Sequence, residues 1–483
     1  MGQVLIIDLG TTNIKVMAFS EAGDVICESS QTTPVHYGNE IMEIHPQKLW
    51  EAVKLACSEV FSMLGDSKAI ASVAISSMAA SFIPLDSAHM PLHNAIGWND
   101  ARSLPYMQKH MDRFMQGERV KNCGQYPLPM YLPFKLQWFF DNHPDLYAKV
   151  HKWVNVSEFI YHRLLGGDRF FTDYSIASRT SLFDDVQKKW NQHALDFFHI
   201  NPDWMATPLP SGTVIGQPGE EAVSIGFPKN TAIVLGGHDH MCACLGAGMV
   251  TPGTLLNSTG TSEALVTILS PPYDVEKNTR HWMNAESVVF GDEVAAVAYI
   301  TASGRVYQSS IESFIKYDAA NMPPPMHKPI FIPPQRAQMP SVTGSYIGLQ
   351  PVFDSQILAR ITRNGLYYEC RRVAERMMGG SLSGAVLRCV GGHTKSLDEM
   401  QIKSDVMGLP IEILKKSDIS SLGVFLLAGK GCGLFSDIKQ VSAQLYDTME
   451  KQVLLPNATQ EKLHDDIYKQ SYLPNFENGI YSL

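Results

Sequence analysis

The chain has 483 residues, 45% of them apolar, eight cysteines and a formal charge of −9 at pH 7. The length points to two domains, each with room for its own core, and the composition excludes a disordered chain. Interspersed charges exclude the basic stripe of a nucleic-acid binder, and cysteines without a CxxC pair fit a reducing compartment.

The opening MGQVLIIDLG lacks a basic region, and Asp8 interrupts its apolar run, so it does not read as a signal peptide. No stretch reaches the roughly 18 apolar residues of a membrane span, so a cytoplasmic protein is expected, with no nucleic-acid or membrane partner. Residues 4–7 read as a buried strand, 14–20 as an alternating half-buried strand and 25–29 as a third, with turns between them. Pro46 opens an amphipathic helix over 46–64, and 70–76 is again a strand. Three antiparallel strands followed by helix and strand units predict a mixed α/β domain.

Residues 99–201 carry helical patterns rich in Trp, Tyr and Phe and read as an insertion in the first domain. A buried strand over 231–235 stops at Gly236-Gly237, and a helix begins near His238-Asp239-His240 and runs through 248. Beyond Pro252-Gly253 the opening theme returns: a strand over 254–257, the turn Ser258-Thr259-Gly260-Thr261-Ser262, another strand, then strands over 287–290 and 294–299. The likeness of LIIDLGTTN to LLNSTGTSE suggests an old duplication with one such turn per half. Helices are predicted over 356–378, 396–407 and 422–428 and a strand over 385–390, while the last fifty residues read as polar and helical.

The turn Asp8-Leu9-Gly10-Thr11-Thr12 offers backbone amides and hydroxyls, and Gly10 lets the chain approach an anion closely. Asp8 can hold magnesium through water, and Lys15 adds positive charge. A lone turn of this kind is commonly an ordinary hairpin; the second, at Thr259-Gly260-Thr261, shifts the reading to phosphate binding. Asp239 is a natural helix N-cap. It also stands at a strand's carboxyl end, where open α/β sheets bind ligands, and the helix dipole keeps it ionised. Phosphoryl transfer to an alcohol needs such a carboxylate to orient the hydroxyl and accept its proton late. A metal cage is not expected at His238, Asp239, His240, Cys242 and Cys244, because helix residues two apart point to nearly opposite sides. There is no Walker A sequence and no GxGxxG after a strand. Gly391-Gly392 at a strand-to-helix turn can seat an adenine against bare backbone.

Taken together these pieces resemble the FGGY carbohydrate kinases. Asp8-Leu9-Gly10-Thr11-Thr12 looks like the family's first phosphate motif, and Trp98-Asn99-Asp100-Ala101-Arg102 like its W-x-D-x-R segment by the sugar. Lys135-Leu136-Gln137-Trp138 resembles part of a family signature, with altered spacing before Lys135. The run from Thr172 to Ser178, followed by Thr180, Leu182 and Asp184, is close to the family pattern. Gly237-His238-Asp239 matches the segment of the general base, Ser258 through Ser262 the second phosphate motif, and Gly391-Gly392 through Ser396 the adenosine motif.

The resemblance implies an α/β fold of two actin-like (ribonuclease-H-like) ATPase domains with a central cleft, residues 1–248 and 249–483. It implies ATP-dependent phosphorylation of a small ketose or polyol, with ATP and Mg2+ as cofactors and a homodimer as the assembly to test. Asp239 is then the base and Asp8 the metal residue. Gly10, Thr11, Thr12, Lys15, Thr259, Gly260, Thr261, Gly391, Gly392 and Ser396 bind nucleotide, and Met78, Trp98, Asp100, Arg102 and His240 face the sugar. Glycerol kinases carry Arg-Glu where this chain has Met78-Ala79, which disfavours glycerol, and xylulokinases carry Met-His. The pairing of His238 with Asp239 is more like fuculokinases and rhamnulokinases. The alternative is an actin-like nucleotide-binding ATPase, or a sugar-sensing regulator, without kinase turnover.

Overall fold

The computed structural model describes residues 2–65, 70–115, 124–259, 263–274, 283–300, 324–333, 344–349, 355–415 and 418–477. It divides into two compact units. The first comprises Met1–Val250, Leu269–Ala295 and Ser417–Thr448, and the second Thr251–Ile268, Ala296–Lys416 and Met449–Leu483. The first unit thus takes back two later segments across the 248/249 boundary expected from sequence.

The first unit is built on a six-stranded sheet in the order Val214–Gly216, Ala232–His238, Ile70–Ser77, Gln3–Leu9, Asn13–Phe19, Val25–Thr32. The three opening strands are antiparallel, as their alternation predicts, while Ile70–Ser77 runs parallel to Gln3–Leu9 on one side and to Ala232–His238 on the other. Asp8 is in register with Ser76, and Gly237 with the same Ser76. The carboxyl ends of the two outer parallel strands therefore finish at one edge. The Ala232–His238 strand shifts register between Val234 and Gly237. A Cβ at Gly236 would come within 2.0 Å of the Ile75 carbonyl oxygen, so only glycine permits the approach.

The helix Pro46–Leu64 has the bounds its pattern predicts and buries Leu49, Trp50, Val53, Cys57 and Val60 on the sheet. The helices Asp239–Gly246 and Ile419–Gly431 cross at a glycine pair. A Cβ at Gly246 would meet the Ile419 carbonyl oxygen at 2.0 Å, and one at Gly423 the Cys242 carbonyl oxygen at 1.9 Å. The region expected as a helical insertion carries helices such as Leu132–Asn142 and Val156–Leu165. It also contributes Lys152–Asn155 to a five-stranded sheet with Val35–Tyr37, Met42–Ile44, Ala95–Ile96 and Phe82–Leu85.

The second unit repeats the frame. Thr254–Thr259 and Glu263–Ile268 form an antiparallel hairpin, and Val386–Gly391 lies parallel on the other side of Thr254–Thr259. Ile411–Leu414 then pairs parallel to Val386–Gly391, and Lys451–Leu454 antiparallel to Ile411–Leu414. The strand expected over 287–290 is found at Asn284–Ser287 instead, in a segment of the first unit, and all four of its residues are buried. Three of its four residues are polar, so apolar content alone points to the run after it. The last fifty residues are not all helical, since Lys451–Leu454 is an edge strand. They are not all surface either: Tyr468 and Tyr472 are buried in a core with Tyr368 and Ile332. None of the described helices is long and apolar enough to cross a membrane.

Candidate active site

The shared sheet edge brings acidic groups together. Burial, then the charges of Asp418 and Asp239, push the Asp8 carboxyl up to about 7, with Ser76 and Lys15 pulling the other way. Asp418 caps the helix Ile419–Gly431, its carboxylate accepting from the Ser421 amide at 3.1 Å. The Lys15 ammonium donates to Asp418 at 3.0 Å. Lys15 therefore neutralises a carboxylate rather than standing ready as an unpaired charge at the turn.

The turn after Asp8 is more closed than its sequence suggests. The Gly10 amide donates to the Asn13 carbonyl at 3.1 Å, and the Gly10 carbonyl accepts from the Thr33 hydroxyl at 2.7 Å. The Trp98 indole donates to the Thr11 hydroxyl at 3.1 Å, which ties the predicted sugar-side segment to the predicted phosphate turn. Thr12 is exposed.

Asp239 is the first helical residue, and His238 occupies the cap position without a side-chain cap bond. The Asp239 side chain is 37% exposed. Its Oδ1 accepts from the His240 amide at 2.7 Å and lies 3.1 Å from His238 Nε2. Burial alone would raise this carboxyl, but the His240 and His238 imidazoles outweigh it and hold it well below the usual range. Phosphoryl transfer calls for a carboxylate that is always ionised, and this one is.

The expectation that His238 and His240 could not face one ion fails. His238 ends a strand, so helical spacing does not apply; the two rings lie 5.0 Å apart, and one donor atom from each of His238, Asp239 and His240 falls within 4.8 Å of the others. A proton is the better occupant. His238 Nδ1 is 3.3 Å from Glu286 and Nε2 faces Asp239, and although burial opposes a charge on this ring, the two carboxylates raise it to about 9. Cys242 and Cys244 are buried helix cysteines.

On the sugar side, Met78 and Ala79 are buried at the end of the Ile70–Ser77 strand. Asp100 is almost fully buried, and its oxygens accept from the Met42 amide, the Arg102 amide and the Arg102 guanidinium at 2.8–3.1 Å. Arg102 also pairs with Glu43 at 2.8 Å and stacks over the Trp138 ring. These two residues shape the Trp98 loop from inside. Lys135 secures the same loop, its buried ammonium donating to the carbonyls of Ala80, Ile96 and Gly97 at 2.6, 3.0 and 2.8 Å. Burial brings that ammonium down to about 7.

In the second unit Thr259 ends its strand in register with Gly391, and its hydroxyl donates to the Val390 carbonyl at 3.1 Å. A Cβ at Gly391 would meet the Thr259 carbonyl oxygen at 2.2 Å, whereas one at Gly392 would meet nothing within 4 Å. Gly391-Gly392 is thus a bare ledge beside the Thr259 strand end, and Ser396 stands at the N-cap position of the helix Leu397–Met407 without a side-chain cap bond. Gly260 and Thr261 lie outside the described residues.

The model of the FGGY family's N-terminal domain matches residues 3–246, and that of its C-terminal domain residues 253–432. The chain belongs to the FGGY family of carbohydrate kinases. It is 26% identical over 465 residues to a gluconokinase of Bacillus subtilis, covering 92% of this chain and 90% of the relative. It is 25% identical over 481 residues to a xylulose kinase of Staphylococcus epidermidis, covering 96% and 95%. Among solved structures, a ligand-bound xylulose kinase from Lactobacillus acidophilus aligns with a TM-score of 0.88 at 21% identity, covering 100% of this chain and 99% of that one. A glycerol kinase from Plasmodium falciparum with ADP aligns at 0.85 and 20%, covering 98% of each. The expected fold, two α/β actin-like domains, is therefore found. The FGGY chain is a phosphotransferase that uses ATP to phosphorylate a hydroxyl of a small sugar or polyol, which decides against an ATPase or sensor without turnover.

Three residues of the site had escaped the sequence reading. Glu286 sits in a strand misplaced by its polarity, Arg179 lies inside a family run in which it was not singled out, and Asp418 is far along the chain. A lysine amid apolar residues, as at Lys135, is the one local signal that marks a buried cation waiting for carbonyls.

Proposed function

We propose that Asp239 is the general base of this FGGY kinase and that the acceptor is a ketose or polyol, bound against Met78, Trp98 and His240, with Asp100 and Arg102 fixing the Trp98 loop. In the first unit Gly10, Thr11 and Thr12 take phosphate oxygens, and Lys15 balances Asp418 beside them. In the second, Thr259, Gly260 and Thr261 take phosphate and Gly391, Gly392 and Ser396 the adenosine. The observation that carries this reading is the register that ends the Asp8 and His238 strands on either side of Ser76, so that base and metal residue share one sheet edge.

Asp8, its proton affinity raised by burial and then by two neighbouring carboxylates, suits a hard divalent cation, and Mg2+ held there through water would neutralise charge on the phosphates. The residues do the rest. Asp239 orients the hydroxyl and accepts its proton as the oxygen–phosphorus bond forms and ADP leaves, and the exposed side of the carboxylate then returns that proton to water.

The test is ADP release over a panel of xylulose and other ketoses, glycerol and other polyols, and the sugar acid gluconate, on the native enzyme and on Asp239→Asn. Sugar-stimulated release that the variant loses, with nucleotide binding retained, is expected. Full turnover by the variant removes Asp239 from the mechanism, and steady hydrolysis that no member of the panel stimulates overturns the assignment of a ketose or polyol.

A further inference from the structure

Behind Asp239 stands a row of alternating charges that no part of the proposed reaction uses. Glu286, fully buried on the Asn284–Ser287 strand, takes the Arg179 guanidinium on Oε1 at 2.5 Å, and its Oε2 lies 3.3 Å from His238 Nδ1. His238 Nε2 in turn lies 3.1 Å from Asp239 Oδ1. Arginine, glutamate, imidazolium and aspartate sum to zero, which is what makes charges tolerable at this depth.

The backbones that carry Glu286 and His238 are each fixed from their own side. The Ala285 amide donates to the Gly124 carbonyl at 2.7 Å, and the Gln125 amide group donates to the Ala285 carbonyl at 3.0 Å. The Ser287 amide donates to Asp185 at 3.0 Å and to the Ser178 hydroxyl at 3.1 Å. The His238 amide donates to the Ser175 hydroxyl at 2.8 Å. The strand that presents Glu286 can neither slide nor turn without breaking these bonds.

We infer that Glu286 is a positioning residue for the base: with Arg179 behind it, it holds His238 against Asp239 Oδ1, so that Oδ2 is the oxygen offered to the sugar hydroxyl. This rests on the reading of Asp239 as the base. The His240 amide also goes to Oδ1, so both contacts fall on the same oxygen and the carboxylate cannot rotate to present it. A ring with one carboxylate 3.1 Å from Nε2 and another 3.3 Å from Nδ1 is drawn towards carrying its second proton. The groups that bear on that ring are Asp239 and His240 beside it, Asp173 ahead of the Tyr174–Ser178 helix, Glu286 across from it and Arg179 behind Glu286. Three carboxylates against one guanidinium favour the imidazolium, in line with its rise to about 9.

The experiment pairs kinetics with the imidazole itself. In the native enzyme, labelled with 13C,15N-histidine, His238 titrates by NMR near 9, and kcat falls above that pH. In Glu286→Gln, which keeps the shape and removes the charge, the titration and the alkaline limb of kcat both move down by about one pH unit or more. There kcat at pH 8 drops about 10- to 100-fold, while nucleotide affinity by fluorescence titration stays unchanged. Should that variant not fold, Glu286→Asp, which withdraws the same charge by one methylene, is expected to shift both limbs part of the way. A native His238 that titrates near the ordinary histidine value overturns the inference without any variant. So does a folded Glu286→Gln with native kcat and an unmoved alkaline limb. Turnover by Asp239→Asn, in contrast, overturns the reading of the base, so the two failures are told apart.

Discussion

The two units carry the same hairpin beside a parallel strand, yet they treat their acids in opposite ways. In the first, the strand Gln3–Leu9 buries the Asp8 carboxyl near two further carboxylates, and burial first, then those charges, raise its proton affinity to about 7. In the second, the acid after the turn, Glu263, is buried and paired with the equally buried Lys403, which also donates to Asn257 at 2.5 Å. One hairpin holds a frustrated carboxylate, while the other neutralises its carboxylate with a buried lysine. A shared frame, then, does not imply a shared role.

That contrast can be broken from either side. The largest effect is expected at Asp8. Asp8→Asn should lower kcat by about 10²–10³ and raise the magnesium concentration for half-maximal rate, measured by titrating Mg2+ at fixed ATP. The same variant should be more thermally stable at pH 8. A carboxyl whose folded pKa is raised from 3.8 to about 7 favours folding fully below pH 3.8 and loses that contribution as pH rises through 7. The stability gain should therefore shrink towards pH 4, and a loss of stability at pH 8 would mean that Asp8 is not frustrated.

Next comes Lys403→Met, which strands Glu263 without a counter-charge. It should cost about 3–5 kcal/mol and lower the melting temperature of the second unit by roughly 10 °C. The smallest effect is expected at Lys15→Met. That ammonium is 40% exposed where it pairs with Asp418, so the stability change should stay below about 1 kcal/mol in calorimetry. Comparable losses from the two lysine variants would erase the distinction.

Much of the frame was readable because it is local. The alternation over the first strands, Pro46 at a helix start, and the switch from an apolar run to helical spacing at Gly236-Gly237 each mark their element within a few residues. Asp8 and Asp239 stand out in the sequence for the same reason, each at the end of an apolar strand. What escaped depends on partners far along the chain. Glu286 meets Arg179 from 107 residues away and Asp418 meets Lys15 from 403, and no periodicity records such pairs. Asn284–Ser287 is a strand because a polar network buries it, so a search for apolar residues lands on its neighbour. The short edge strand Lys451–Leu454 owes its conformation to Ile411–Leu414, and tertiary pairing overrode the helical reading there.

The two segments that return to the first unit limit how this enzyme can be taken apart. A polypeptide ending at Val250 would lose Glu286 from beside His238, Asp418 from beside Asp8, and the Gly423 face against which the Asp239 helix rests. Neither half is modular, and a hybrid with a relative would have to exchange three stretches of chain together to keep the Asp239 carboxylate in place.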